Sequence, residues 1–224
     1  MLGRTDGTPG LARLCEVAVD VAAVTGAGIM LAAGDQPQGG LSSSDGVADV
    51  IEELQFTLGE GPCIDAHGQG SAVSEPDLAA PAVTRWPAFA PAAIEAGVRA
   101  IFGFPVRTGT VRLGALNLYR DRPGPLSGDQ HADALVVADL AALAILALQA
   151  TVAPGALAAE LDASFPAVVQ QAAGMVSVQL NVTVGDALVR LRAHAFAAGR
   201  LLSAVAEDVV ARRLAFDDPP SDVP

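Results

Sequence analysis

The sequence contains no lysine, so all 13 of its Lys-plus-Arg positions are arginines. This absence excludes lysine general bases, Schiff-base lysines and the phosphate-binding lysine of a P-loop. Aromatic residues make up only 4% of the 224 residues, which leaves few stacking surfaces for nucleic-acid bases. With 25 acidic residues the formal net charge is −12. A chain this acidic is not a non-specific nucleic-acid binder, because attraction to phosphate needs positive surface.

Cysteine is equally scarce, since the chain has only Cys15 and Cys63. Two cysteines form no disulfide framework, and the three histidines are too scattered to complete a structural zinc site. We therefore predict no metal site, and the sequence names no cofactor. The most apolar run, residues 134–150, contains Asp139 and is shorter than the ~20 residues that span a bilayer. No signal-peptide pattern opens the chain. We expect a cytoplasmic protein with no membrane partner.

Apolar residues make up 51% of the chain, enough for a sizeable core. The residues Thr108-Gly109-Thr110 join two runs of β-forming residues, and this predicts a hairpin. Consecutive strands with helices on either side indicate an α+β domain over residues 1–155, an antiparallel sheet flanked by helices. Apolar spacing places the elements as follows: helices at 11–24, 47–54, 87–96 and 131–150, strands at 29–31, 98–107 and 111–120.

The last of these helices is apolar on nearly every side. Ser127 and Gln130 have the spacing of a capping box that opens it. A sheet can cover only one face of such a helix, and a second copy is the simplest cover for the other. We predict a homodimer through residues 131–150, together with the helix of residues 11–24. Leu143 and Ile145 are expected in the contact.

The remaining residues are predicted to be helical. After a break at Pro154-Gly155, residues 160–216 show three apolar helical stripes, with five arginines against five acids. Residues 217–224 add three acids and three prolines, which predicts a disordered acidic tail. A bundle of about 55 residues is marginal by itself, which again favours attachment and dimerisation.

Three parts of this bundle carry a resemblance to a known family. They are Val169–Met175, Leu191–Ala195 and Leu202 with Val205-Ala206. Residues 160–216 thereby resemble an ANTAR domain, the three-helix module of transcription antitermination regulators. The resemblance implies binding to RNA that carries two adjacent stem-loops.

The first domain resembles a second family. Leu58–Cys63, Phe104–Arg107 and Leu113–Arg120 are similar to the GAF sensor domains that precede ANTAR domains in actinobacterial proteins. This resemblance implies a domain that senses a signal or dimerises, with a small-molecule ligand as one candidate signal. The GAF-like region followed by the ANTAR-like region covers nearly the whole chain.

The candidate RNA contacts follow from the ANTAR resemblance and from charge. The family usually has a lysine at the position of Ala173, so we expect Ala173→Lys to strengthen binding if this helix faces RNA. Gly174 interrupts a helix, which indicates either close helix packing or close approach of RNA. The alternative for the cations is an ordinary solvated helix face. The candidate contacts are Gly174, Arg190, Arg192, His194, Arg200 and Arg213.

Cys63 follows a glycine-rich turn at a predicted helix start, where a thiol pKa falls. It is a candidate for redox sensing or ligand contact, and the alternative is a small packed residue. Some GAF proteins reduce free methionine sulfoxide with cysteines, but that chemistry needs a second, resolving thiol. We therefore predict a non-enzymatic RNA-binding antitermination regulator. The alternative is a ligand-sensing dimer whose ANTAR-like bundle does not bind RNA.

Overall fold

The computed structural model describes residues 9–34, 36–80, 85–151 and 165–216. The chain forms two compact units, Met1–Leu157 and Ala158–Pro224. The break at Pro154-Gly155 and the acidic tail at residues 217–224 lie outside the described residues. The domain limits and the disorder of the tail therefore stay predictions.

The first unit is a five-stranded antiparallel sheet with helices on both faces. Its strand order is β2-β1-β5-β4-β3, and every neighbouring pair is antiparallel. This is the predicted α+β arrangement of an antiparallel sheet flanked by helices. The elements are, in chain order, α1 (Pro9–Ala22), β1 (Gly26–Ala33), β2 (Gln36–Ser43), α2 (Gly46–Leu58), α3 (Pro62–Gln69), β3 (Val73–Glu75), α4 (Phe89–Glu95), β4 (Ala100–Thr108), β5 (Val111–Arg120) and α5 (Gly128–Thr151).

Alternation along the strands divides the core between the two faces of the sheet. Ile101 and Tyr119 pack with α2, α3 and α4 on one face. Phe104, on the opposite face of β4, meets the His131 ring of α5 at 5.0 Å between centroids. Helices α1 and α5 pack together on that side. The unit is therefore a three-layer helix–sheet–helix structure.

Two strands, β2 and β3, were not predicted from the sequence. Residues 39–46 read as a glycine- and serine-rich loop, but residues 36–43 form the edge strand β2. Its pairing with β1 shifts register twice, and Gly39 has a φ of 109°. Glycine weakens the strand signal and is typical of such irregularities. The three-residue strand β3 is too short for alternation to reveal. The predicted β4–β5 hairpin is confirmed, with Thr108 paired to Val111 across a two-residue turn.

Asp45 fixes the start of α2 against the sheet. Its carboxylate accepts hydrogen bonds from the backbone N–H groups of Val47 and Ala48, at 2.8 and 3.0 Å. The hydroxyl of Tyr119 on β5 donates to the same oxygen at 2.9 Å. One side chain thus caps the helix and ties it to the central strand. The bond determines which face of α2 meets the sheet.

Helix α5 begins with the predicted capping box. The Ser127 N–H donates to the Gln130 side-chain oxygen at 2.9 Å, and the Gln130 N–H donates to the Ser127 hydroxyl at 3.1 Å. The helix is longer than the apolar run suggested. Within the described residues, Gly128–Ala150 has the length and composition to cross a bilayer, and its most apolar 18-residue window has a mean hydropathy of 1.9 and is one-third buried. The bent pair 167–180 and 184–197 passes the same test only if taken as one span. One such helix is weak evidence for a membrane.

The outer face of α5 keeps an apolar stripe. Val136, Leu140 and Leu143 are 58%, 44% and 61% exposed at i, i+4 and i+7 spacing. Ile145, which the sequence analysis grouped with Leu143, is instead buried in the core of the unit. Substitution of Ile145 would therefore disturb folding rather than an intermolecular contact.

In the described residues of the second unit, 165–216, the helices are α6 (Phe165–Leu180), α7 (Val184–Ala197) and α8 (Leu202–Val210). Thr183 caps α7, since its hydroxyl accepts the Asp186 N–H at 3.1 Å. Beyond α8 the chain folds back across α6, where the Phe216 N–H donates to the Gln179 side-chain oxygen at 3.0 Å. The core of this unit consists of small and branched residues: Val169, Ala172, Ala173, Val176, Ala187, Leu191, Ala195, Leu202, Val205, Ala206 and Val209.

We expect Gly114→Ala to destabilise the first unit by more than about 2 kcal/mol. A Cβ atom there would lie 1.9 Å from the Met30 carbonyl oxygen, so strands β1 and β5 would have to separate. The matched control is Gly46→Ala in the first turn of α2, where a Cβ meets nothing within 4 Å. Urea denaturation measures both variants. Equal stabilities would contradict the described register of β1 and β5.

Candidate functional site

Two of the predicted RNA-contacting arginines meet at one carboxylate. Arg200, in the turn before α8, donates to Asp208 at 2.7 Å, and Arg213, after α8, donates to the other Asp208 oxygen at 2.7 Å. Both contacts are ion pairs. The two guanidinium groups lower the pKa of Asp208. Two cations around one anion leave a net positive cluster, and the pairs hold the residues after α8 in place.

Arg212 lies beside this cluster and was not among the predicted contacts. It is exposed and has a φ of 57°, the left-handed conformation that usually selects glycine after a helix. Sequence alone carried a signal for it, because Arg212-Arg213 is a basic pair. Its backbone N–H donates to Val209 at 2.9 Å and closes the end of α8.

A groove of about 640 Å³ runs between α6 and the residues after α8. Gly174 lies in its wall, and a Cβ atom there would meet nothing within 4 Å apart from its own helix backbone. Gly174 therefore does not serve helix packing within the described unit. Arg212 is the charged residue among the described residues that line the groove. The others are Gln171, Gly174, Met175, Val178, Gln179, Leu214 and Ala215.

The other predicted contacts are spread over the unit. Arg190 is exposed on α7. The ring of His194 packs against Phe216 at 5.3 Å between centroids, which agrees with a packing role. Arg192 is half-buried, its Nε and Nη2 atoms are shielded from solvent, and burial lowers its pKa. Its assignment to a free RNA-facing surface therefore needs correction.

Ala173 also differs from expectation. It is 0% exposed within the bundle core. A lysine there would have to thread its stem out of the core before its ammonium reached solvent. The exposed neighbour Gln171, which lines the groove, is the better position for an added cation.

In the first unit, Cys63 lies at the start of α3 but does not have the low pKa expected of a thiol there. It is 0% exposed and packs with Met30 and Ala115. Burial raises its pKa well above the usual value, because the thiolate would lose its hydration. Its backbone N–H donates to the Gln55 side-chain oxygen at 2.8 Å. The redox interpretation requires a thiolate that this environment disfavours.

A buried polar cluster next to Cys63 was not predicted from the sequence. Glu52 on α2 is 3% exposed, and Asn117 on β5 and Gln55 on α2 are 0% exposed. Both carboxyl oxygens of Glu52, both amide atoms of Asn117 and Nε2 of Gln55 have no hydrogen-bond partner among the described residues. A buried polar group without a partner costs about 1–3 kcal/mol.

Glu52 is accordingly a perturbed acid. Burial raises its pKa to about 8, and Asp49 on the same helix raises it further. Asn117 lies close enough to lower this pKa in part, although its amide is not in hydrogen-bonding geometry. A signal existed in the sequence, because Ala48, Glu52 and Phe56 follow i, i+4, i+8 spacing on one face of α2.

No protein-family model matches the sequence, and no curated protein matches it. Solved structures do. A domain of a two-component sensor histidine kinase protein from Sinorhizobium meliloti aligns over 65% of this chain and 95% of its own, at 14% identity and a TM-score of 0.53. A GAF domain/HD domain protein from Geobacter sulfurreducens aligns over 66% and 97%, at 14% identity and a TM-score of 0.51. The first unit has a GAF-type fold.

A more distant structural match is a free methionine-R-sulfoxide reductase from Thermoplasma acidophilum. It aligns over 61% of this chain and 89% of its own, at 18% identity and a TM-score of 0.47. Identities this low establish a fold at most, so the GAF-type assignment says nothing about the reaction or ligand of this chain.

We expect the stability of the GAF-type unit to fall as the pH rises from about 4.5 to about 8. The folded state keeps a proton on Glu52 that the unfolded chain releases in this window, so unfolding becomes easier as the pH increases. The slope is at most about 1.4 kcal/mol per pH unit. Glu52→Gln should flatten it, and this is measured by denaturation across the pH range.

Glu53→Gln, one residue along α2 and only half-buried, is the matched control and should retain the slope. If Glu52→Gln and wild type gave parallel pH profiles, Glu52 would not hold the proton.

Proposed function

We propose that the chain is an RNA-binding transcription antitermination regulator. In this proposal the C-terminal unit is an ANTAR-type bundle that binds RNA with paired stem-loops, and the GAF-type unit senses a signal or dimerises. The GAF-type fold of the first unit supports the second part. The residue pattern of Val169–Met175 and Leu191–Ala195, which lies on α6 and α7, supports the first.

The observation that carries the RNA assignment is Arg212, the charged residue on the groove wall among the described residues. Its neighbour Arg213 shares the carboxylate of Asp208 with Arg200. Residues 160–216 contain five arginines and five acids, so this part is neutral within a chain of net charge −12. On the α6 side of the groove, Gly174 has no side chain, which leaves room for RNA to approach closely. RNA recognition needs cations for phosphate together with open surface for bases.

A second candidate function is a ligand-sensing dimer whose bundle does not bind RNA. The burial of Ala173 and the shielding of Arg192 favour it, because both positions were expected to face phosphate. The two functions differ in whether the groove binds RNA, and the RNA titration below separates them.

We also propose that the chain forms a homodimer through α5. The stripe of Val136, Leu140 and Leu143 is exposed on the GAF-type unit. Leu135 of α5 and Val21 of α1 are each 40% exposed. Two copies related by a two-fold axis can lay the same stripe against itself, which removes these side chains from water. Covering the exposed half of such a side chain contributes about 1 kcal/mol.

We also propose that the protein is cytoplasmic and non-enzymatic. Burial raises the pKa of Cys15 to about 12 and that of Cys63 well above its usual value. Neither thiol therefore supplies the nucleophile that sulfoxide reduction requires.

Arg212→Gly should weaken binding to paired-hairpin RNA and lower the salt slope of log K by about one unit. Glycine fits the left-handed backbone at this position, so the variant should fold at least as stably as wild type. Gln171→Lys should strengthen binding and steepen the slope. Gel-shift titrations at two salt concentrations measure both variants, with Arg107→Ala in the GAF-type unit as the control. Identical, salt-insensitive curves for all four proteins would favour the dimer-sensor function.

Leu143→Glu should convert the dimer to monomers without unfolding the unit, because the side chain is 61% exposed. Ile145→Glu should instead lower the melting temperature, since it places a charge in the core. Analytical ultracentrifugation at micromolar concentration, with circular dichroism for folding, distinguishes the two results. A wild-type protein that sediments as a monomer would overturn the dimer.

A further inference from the structure

The groove between α6 and the residues after α8 combines apolar surface with positive charge. Val178 in its lining is 82% exposed, and Met175 and Leu214 are half-buried. Arg212 is exposed and is the charged lining residue among the described residues. Exposed apolar surface of this kind marks an interaction site. An occupant that complements the groove has apolar groups and negative charge close together.

The chain passes along this groove immediately before residues 217–224. Leu214 and Ala215 line the groove. The next residue, Phe216, is fastened to α6, because its N–H donates to the Gln179 side-chain oxygen at 3.0 Å. The following segment therefore starts at the groove, and eight extended residues span up to ~26 Å. The stretch of α6 that lines the groove is only ~12 Å long. The segment is long enough to reach along the whole groove.

The composition of residues 217–224 complements the groove. The segment contains three aspartates and no arginine, and Pro219, Pro220 and Val223 supply apolar surface. Because proline has a fixed φ, ordering it costs less conformational entropy. Attachment beside the groove also gives the segment an effective concentration of about millimolar order, so a weak contact is enough for docking. A second copy or another protein lacks this advantage.

We propose that residues 217–224 are an autoinhibitory segment that docks in the groove and places its aspartates beside Arg212. The guanidinium group cannot pair with an aspartate and with an RNA phosphate at once, so RNA has to displace the segment. The acidic segment also repels phosphate from the groove. The inhibition rests on the RNA-binding function proposed above, whereas docking itself does not require RNA.

The first test follows docking in the full chain without RNA. A nitroxide label on Ser221→Cys is selective, because both native cysteines are buried. A docked segment brings the label to α6, so it should broaden the NMR amide signals of Gly174 and Val178. The absence of any broadening at these two residues would overturn the proposal.

Two charge variants test what holds the labelled segment. Asp217→Asn with Asp218→Asn should reduce the broadening about two-fold or more, since it removes charge that pairs with Arg212. The matched control, Asp20→Asn with Glu95→Gln, removes the same charge from exposed positions of the GAF-type unit and should leave the broadening unchanged. Equal broadening in all three proteins would contradict the proposal. Groove signals that changed with protein concentration instead would also contradict it, because a second copy would then be the occupant.

The second test measures the inhibition in gel-shift titrations with paired-hairpin RNA. Asp217→Asn with Asp218→Asn should bind about 3-fold tighter or more than the matched control, and the gain should shrink at high salt. In the Arg212→Gly background the same two substitutions should change affinity little, because their partner is gone. Equal affinities of variant and control would overturn the inhibition and leave the RNA function standing. If none of these proteins bound RNA, the RNA function would fail and the inhibition with it, while the label experiment would still report docking.

Discussion

The GAF-type unit is organised around a carboxyl group that is buried without a cation. Glu52 lies between α2 and the sheet, and its presence requires glycine at positions 28 and 40 of the two strands beneath it. Asp45, at the start of α2, holds the helix in the rotation that points Glu52 inward, through its bond to Tyr119. The edge strand β2 is thus irregular and rich in glycine because α2 places Glu52 against it.

The C-terminal unit depends on a different electrostatic arrangement. There the shared carboxylate of Asp208 is largely compensated, because Arg200 and Arg213 both donate to it. The pairs fix the turn before α8 and the residues after it, and so position Arg212 on the groove. The carboxyl group in the first unit is buried and keeps its proton, whereas the carboxylate in the second is ionised and paired with two arginines.

Apolar periodicity predicted the elements whose signals are local. Helices α1, α2, α4 and α5 and the β4–β5 hairpin lie where their spacing placed them, because each buries one continuous apolar face. Strand β2 was missed because glycine and serine carry no alternation. The polar cluster was missed because the apolar residues Val47, Val50 and Leu54 suggested a different buried face of α2. The residues of the cluster and the neighbouring Cys63 come from α2, β5 and α3. They meet only after folding, so no local sequence pattern reveals them.

The small number of cations on each bundle links the proposed dimer to the proposed RNA target. Arg212 on the groove wall and the Arg200–Asp208–Arg213 group together supply a net charge of about two per copy. Each neutralised phosphate changes the salt slope by about 0.9. So few contacts give weak binding to one stem-loop. Two bundles joined through α5 would engage two stem-loops on one RNA, and the second contact becomes intramolecular, which raises avidity by about 10² or more when the spacing matches. A bundle with this little charge therefore gains most from a target in which stem-loops are paired. The spacing of the two loops, more than the sequence of either, would then determine affinity.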